Sequence, residues 1–166
     1  MSQIQKFSLL YDAAEDRLAW DTEDAEGGTT RLWLTQRLCR GLIGALLPML
    51  KTAAPQVDAP LQQAAVQSWE QAAAMSSFGR VPGVQPKPQT LNGLVRAVHI
   101  RPKGEHLDLT FEFGTADTRE VGLSQAALRQ MLSVMHRLHV AAGWPLDLWP
   151  AWIAEPAPAG AAAALN

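Results

Sequence analysis

The triplet Leu34-Thr35-Gln36 returns 89 positions later as Leu123-Ser124-Gln125; both times a short alternating segment runs into it and an apolar helical pattern leaves it. The match extends backwards without a gap. Asp16-Arg17-Leu18-Ala19-Trp20 lies over Glu105-His106-Leu107-Asp108-Leu109, and Phe7, Leu9 and Tyr11 lie over Arg96, Val98 and Ile100. Identities are few, among them Leu18/Leu107, Glu23/Glu112, Leu34/Leu123, Gln36/Gln125 and Arg40/Arg129, so the signal is the shared apolar pattern. Such a chain is expected to be α+β: an internal duplication of a β-β-β-α unit, antiparallel sheet with helices packed on it, plus an inserted linker helix. A unit of about 50 residues buries too little apolar surface alone, so the two copies are expected to share one core.

Residues 1–52 hold the first copy. Phe7, Leu9 and Tyr11 alternate with Ser8, Leu10 and Asp12, which predicts a half-buried strand over 4–12. Leu18 and Trp20 mark a second strand over 16–24. Gly27 and Gly28 turn the chain into a third at 29–34, where Leu32 and Leu34 face one way and Arg31 and Trp33 the other. Thr35 is placed to cap the helix that follows, in which Leu38, Leu42, Ala45, Leu46 and Met49 recur at helical spacing. Gly41 and Gly44 suggest a close backbone approach, and Pro48 predicts a kink or an end.

Residues 53–91 link the copies. A helix over 59–76 is expected to be capped by Asp58, to take Pro60 in its first turn and to bury Leu61, Ala65, Trp69, Ala72 and Met75. An extended, exposed linker rich in Pro and Gly follows. The second copy, 92–143, predicts strands at 93–101, 105–114 and 117–123. Ser124 takes the capping role, Ala127, Leu128, Met131, Leu132, Met135 and Leu138 line a helix to about 141, and Gly143 ends it in a left-handed cap. Residues 144–166 form a Trp/Pro/Ala-rich tail, expected to be flexible.

Chemistry is sparse. A net charge of −2 gives no footprint for a polyanionic partner, and 48% hydrophobic with 18% charged residues suits a soluble globular chain. The start MSQIQKF has no signal-peptide pattern, no apolar run reaches membrane-spanning length, and one cysteine cannot form an internal disulfide; a cytoplasmic location is expected. Phosphate-binding glycine loops and a GxSxG elbow are absent. Cys39 sits in an apolar helical stripe, where it reads as a small buried hydrophobe. His136 and His139 share a helix edge, and His99 and His106 flank a turn, but no cysteine or carboxylate completes a metal-ligand set. The seven acidic residues from Asp12 to Glu26 fall mostly on turns and read as a solvated acidic edge, without the apolar pocket that a catalytic carboxylate needs. No catalytic constellation, cofactor or metal is expected.

Two surfaces remain. Trp33, on the face away from Leu32 and Leu34, corresponds to Gly122 in the second copy and lies beside Arg31. Either the inserted helix covers it through Trp69 or Leu61, or it is an interface anchor, tryptophan and arginine being enriched at binding hot spots. Trp144, Trp149 and Trp152 either pack on the protein's own helix ends or anchor a partner. Arg96, Arg101, Lys103 and Arg119 make the second half locally basic, a feature of single-strand nucleic-acid platforms when combined with aromatics. The repeated order of strands and one helix resembles duplicated single-strand-binding folds such as the PUR repeats and the Whirly proteins, with three predicted strands per unit where those have four. The expectation is a non-enzymatic cytoplasmic accessory or adaptor protein. It would bind an unknown protein partner through Arg31, Trp33, Trp144, Trp149 and Trp152, and no membrane. Single-stranded nucleic-acid binding through Arg96, Arg101, Lys103 and Arg119 is the alternative. An open edge strand would allow a homodimer.

Overall fold

Alternating apolar residues become six strands, and the helical stripes become helices, in the expected order. The computed structural model describes residues 2–53, 57–79 and 82–155. β1 (Ser2–Asp12), β2 (Arg17–Asp24), β3 (Thr29–Leu34) and α1 (Gln36–Ala53) precede α2 (Pro60–Ser76). β4 (Leu91–Lys103), β5 (His106–Phe113), β6 (Asp117–Ser124) and α3 (Gln125–Ala142) follow, and α4 (Ala151–Ala154) comes last. The fold is α+β. The strands form one closed barrel rather than two sheets, in the order β1-β2-β3-β4-β5-β6.

Within each half the pairing is antiparallel, but the halves join through two short parallel seams. Thr30–Trp33 of β3 pair with Leu91–Leu94 of β4, and Ser2 and Gln3 of β1 pair with Arg119 and Glu120 of β6. Inward residues of both halves make one core. Leu18, Trp20, Leu32 and Leu34 meet Leu107, Leu109, Phe111 and Phe113, with the Trp20 ring edge-on to Phe111 at 4.7 Å between centroids. Leu42, Ile43, Leu46 and Leu50 of α1, and Leu128, Met131, Leu132 and Met135 of α3, complete it. Cys39 is fully buried there, and burial pushes its thiol pKa up to about 12, so it stays protonated and unreactive.

The pairing register corrects the gap-free alignment in one strand. Leu18↔Leu34 and Leu107↔Leu123 are 89 apart, as expected. However, Phe7, Leu9 and Tyr11 pair with Thr22, Trp20 and Leu18, whereas the matching partners Phe111, Leu109 and Leu107 pair with Val98, Ile100 and Pro102. The first strands are therefore offset by 91. The reason is turn length: Asp12 and Arg17 enclose four residues, Lys103 and His106 only two.

Caps fall as predicted at Thr35, whose Oγ1 accepts from the Leu38 amide, at Ser124, whose Oγ accepts from the Ala127 amide, and at Gly143, with φ 67°. Other local expectations are overturned. Pro48 does not end α1, which continues to Ala53. Both Pro48 and Gly44 are on the exposed side, where water can serve the carbonyl that loses its amide partner. A Cβ on Gly41 or Gly44 would meet nothing within 4 Å, so these glycines admit no close approach. Ala59, not Asp58, is the N-cap of α2, and it makes no side-chain cap bond.

α2 also presents the opposite face. It packs on α3 and α4 and buries Gln67, Gln71 and Ala74, while Leu61 is 86% and Trp69 47% exposed. The cause lies on α3: buried Arg129 and Ser133 need polar partners. Arg129 donates to Gln67 Oε1 at 2.9 Å, and Gln71 Nε2 donates to Ser133 Oγ at 2.6 Å and to the Arg129 carbonyl at 3.1 Å. Residues 144–155 of the supposed tail are ordered against the body. Trp144, Trp149 and Trp152 are 6, 9 and 7% exposed and belong to the core; the rest of that expectation, 156–166, lies outside the described residues.

Candidate functional site

Alternation puts Asp21 and Arg31, and then Ala19 and Trp33, side by side on the sheet face away from Leu32 and Leu34, where Asp21 and Ala19 are buried and Arg31 and Trp33 half-buried. Arg31 forks onto the Asp21 carboxylate, Nε to Oδ1 at 2.7 Å and Nη2 to Oδ2 at 2.8 Å, which holds the guanidinium cationic. That guanidinium lies over the Trp33 ring, 5.3 Å from its centroid. The parallel seam brings Asn92 beside Arg31 and Leu94 beside Trp33, and the Trp33 indole N–H donates to Asn92 Oδ1. Trp33 is thus a half-exposed ring fixed from two sides, next to Leu91 and Leu94, both 41% exposed. α2 does not lie over it, being packed on α3 and α4. The matching position in the second half, Gly122 beside Asp108, is flat.

Leu94 also starts a groove. β3 stops at Leu34 because Thr35 turns the chain into α1, but β4 runs on to Lys103. From Val95 onward β4 pairs with β5 only; among the described residues no backbone partner lies on its other side. α1 stands across that side. Between them is an open groove of 470 Å³, with Leu38, Leu42, Ala45, Val98 and Ile100 as apolar walls and Arg37 and Arg96 as its cations. Arg96 donates one bond to the Thr115 carbonyl, and neither arginine has a carboxylate partner among the described residues.

A counterpart groove of 570 Å³ lies between α3 and β1, walled by Phe7, Leu9, Ala127, Met131 and Val134. The register equates Phe7 with Val98 and Leu9 with Ile100, and the 89-residue offset equates Ala127 with Leu38 and Val134 with Ala45. There the chain itself supplies a further wall, from Ser77, Phe78, Gly79, Pro82 and Gly83. The connector then crosses the outside of the first half: the Val84 amide donates to Ser8 Oγ, and Lys87 Nζ reaches the Gly27 carbonyl. Val84 is buried by this, whereas the other described residues of the linker, 79, 82, 83 and 85–88, are exposed as expected.

A third hollow, of 460 Å³, lies between the start of α1, the end of α3 and residues 145–149. His139 lines it, with Nδ1 2.8 Å from the Met135 carbonyl and its ring edge-on to Trp144 and Trp149. Burial lowers the pKa of His139, which favours neutral imidazole. The nearby carboxylate, Asp147, is committed to a bidentate pair with Arg40, so the hollow presents no acid–base couple.

The basic residues of the nucleic-acid reading are dispersed. Arg119 is turned into the barrel end, 5.6 Å over the Phe113 ring and donating to Thr30 Oγ1 at 3.1 Å, and Lys103 stands 3.9 Å from Asp108. Phe111 and Phe113 are buried, and Glu112 sits against His99 at 2.8 Å on the outer face. Arg96 and Arg101 are exposed on β4. Among the described residues no cluster of three metal-ligating side chains occurs, and no helix is long and apolar enough to cross a membrane. Comparison with protein-family models, curated proteins and solved structures finds no match. Sequence reasoning reached Arg31 and Trp33 but not the groove, because nothing in β3 or β4 alone reveals that one outlasts the other.

Proposed function

We propose that this chain is a non-enzymatic accessory or adaptor module that works by binding another protein, with Arg31 and Trp33 at the centre of the contact. The observation that carries this reading is the fixed Trp33: half-exposed, clamped by Arg31 and Asn92, and continuous with exposed Leu91 and Leu94. Rigid aromatics and arginines on a preorganised patch are the residues that dominate protein interfaces. Trp144, Trp149 and Trp152 take the first of the two roles open to them, packing in the protein's own core, and are not part of the contact. A cytoplasmic setting suits the single buried, unpaired Cys39. The same reading takes the chain as two copies of one β-β-β-α unit. The equal registers of β2–β3 and β5–β6 support it, and the unequal decoration, Trp33 against Gly122, fits one copy specialised for binding.

The test is capture of cell-extract proteins on the immobilised chain, with Trp33→Ala beside the wild type. We expect retention of a partner to weaken about tenfold or more while the melting temperature stays within a few degrees. A large fall in melting temperature would instead make Trp33 a packing residue.

A further inference from the structure

We propose that the groove between α1 and β4 takes an extended, acidic segment of a partner protein, which adds to β4 as a further strand. The inference rests on the protein-binding reading above and names the chemistry of what binds. Four observations carry it. β4 from Val95 to Lys103 has a backbone edge with no partner on the α1 side among the described residues, and an unpaired edge is a template for an incoming strand. α1 stands opposite at the width of a groove, so a strand laid along β4 would place alternate side chains against Leu38, Leu42, Ala45, Val98 and Ile100. Arg37 and Arg96 line the same groove without carboxylate partners, which selects an occupant that carries Asp or Glu beside its apolar residues. Finally, the counterpart groove between α3 and β1 already has a further wall from this chain's own Ser77, Phe78, Gly79, Pro82 and Gly83, whereas the α1–β4 groove has none from the described residues.

The geometry favours a strand over a helix. A helix in the groove would leave the amides and carbonyls of β4 unpaired, whereas an extended segment satisfies them and uses the two-residue period of side chains to reach the apolar walls. Trp33 lies past Leu94, at the end of the groove where the seam with β3 closes it. A bound segment would run from the groove onto the Arg31–Trp33 patch.

The test uses the full chain and a random peptide library displayed on phage. Selection on the wild type is compared with selection on Gly41→Trp, which fills the groove from an exposed helix position where an added side chain meets nothing within 4 Å. Ala45→Trp is a second blocking variant, and both are checked by thermal melting. Enriched peptides should alternate apolar residues, carry Asp or Glu, and lose binding about tenfold on Gly41→Trp and on Ala45→Trp. Synthetic versions N-methylated at alternate amides should weaken by a similar factor, and Arg37→Glu with Arg96→Glu should shift the selected charge from acidic to basic.

No enrichment, enrichment of basic or non-alternating peptides, or binding indifferent to both blocking variants would overturn the proposal. So would a wild type that is dimeric in light scattering and monomeric as Gly41→Trp, since the occupant would then be a second copy. Partner capture that needs Trp33 yet ignores Gly41→Trp would sink the groove and leave the protein-binding reading standing. Capture indifferent to Trp33→Ala would sink that reading instead.

Discussion

At the scale of single residues, what fixes this fold is contact distance as much as hydrophobicity. Gly93 shows it. A Cβ there would lie 2.5 Å from Cδ2 of Phe113, a ring locked in the core, so the glycine is required by proximity and not by its backbone angles. We expect Gly93→Ala to destabilise the protein by about 1–3 kcal/mol through overpacking, read as a clear drop in melting temperature; an unchanged melt would show that the strand yields freely. His139 makes the complementary electrostatic case. Its pKa is lowered in the folded state, by burial first, so the unfolded chain binds the proton more readily. Stability is therefore present above the ordinary histidine range and is lost as pH falls below it, through the lowered folded pKa. Melting temperatures taken from about pH 7.5 down to about pH 5.5 should fall, and His139→Leu should flatten that limb, with His136, also lowered by burial, leaving a remainder. An equally steep limb in His139→Leu would assign the acid sensitivity elsewhere.

Elements were legible where one face meets the core and the other meets water. The run Leu107, Leu109, Phe111, Phe113 reads as a half-buried strand and is one, and the stripes of α1 and α3 face the barrel as their periodicity implies. α2 was misread because its apolar residues and its buried residues differ. Leu61, Ala65 and Trp69 lie on the outward side, and the glutamines are buried because α3 offers Arg129 and Ser133. Periodicity cannot register what the opposing face demands. The first strand misled for another reason: a shift of two residues keeps every side chain on its own face, so the gap-free match of Phe7 to Arg96 gave no warning. The helix reading makes a reversed mutational expectation. Gln71→Ala should cost about 1–3 kcal/mol by leaving buried groups on α3 unpaired, whereas Leu61→Ser should change stability by no more than about 0.5 kcal/mol. Chemical denaturation of the two variants checks it, and the opposite order would restore the apolar stripe as the buried face.

For the whole molecule, the decisive feature is how two halves of similar register close into one barrel and still leave a gap. The β3–β4 seam is short because β3 hands over to α1 after Leu34 while β4 continues, and the β1–β6 seam holds only Ser2 and Gln3 against Arg119 and Glu120. The inserted segment lies along one of the resulting grooves and across the outside of the first half, and the described chain leaves the other open beside Arg31 and Trp33. Closure by parallel seams has no sequence signature, since four residues of β3 against four of β4 carry no pattern that marks a neighbour. The site was half legible for the same reason: Trp33 stood out as an outward tryptophan that aligns with Gly122 at the 89-residue offset, but its surroundings come from residues some 60 positions away.

Whether a partner sits at that corner is read most directly by site-specific photo-crosslinking in cell extract. A benzoylphenylalanine placed at Leu94, between Trp33 and the groove, should give a discrete protein adduct that is lost on Trp33→Ala. The same group at Ala73, exposed on α2, should give none. No adduct at Leu94, or the same adducts from Ala73, would contradict that placement.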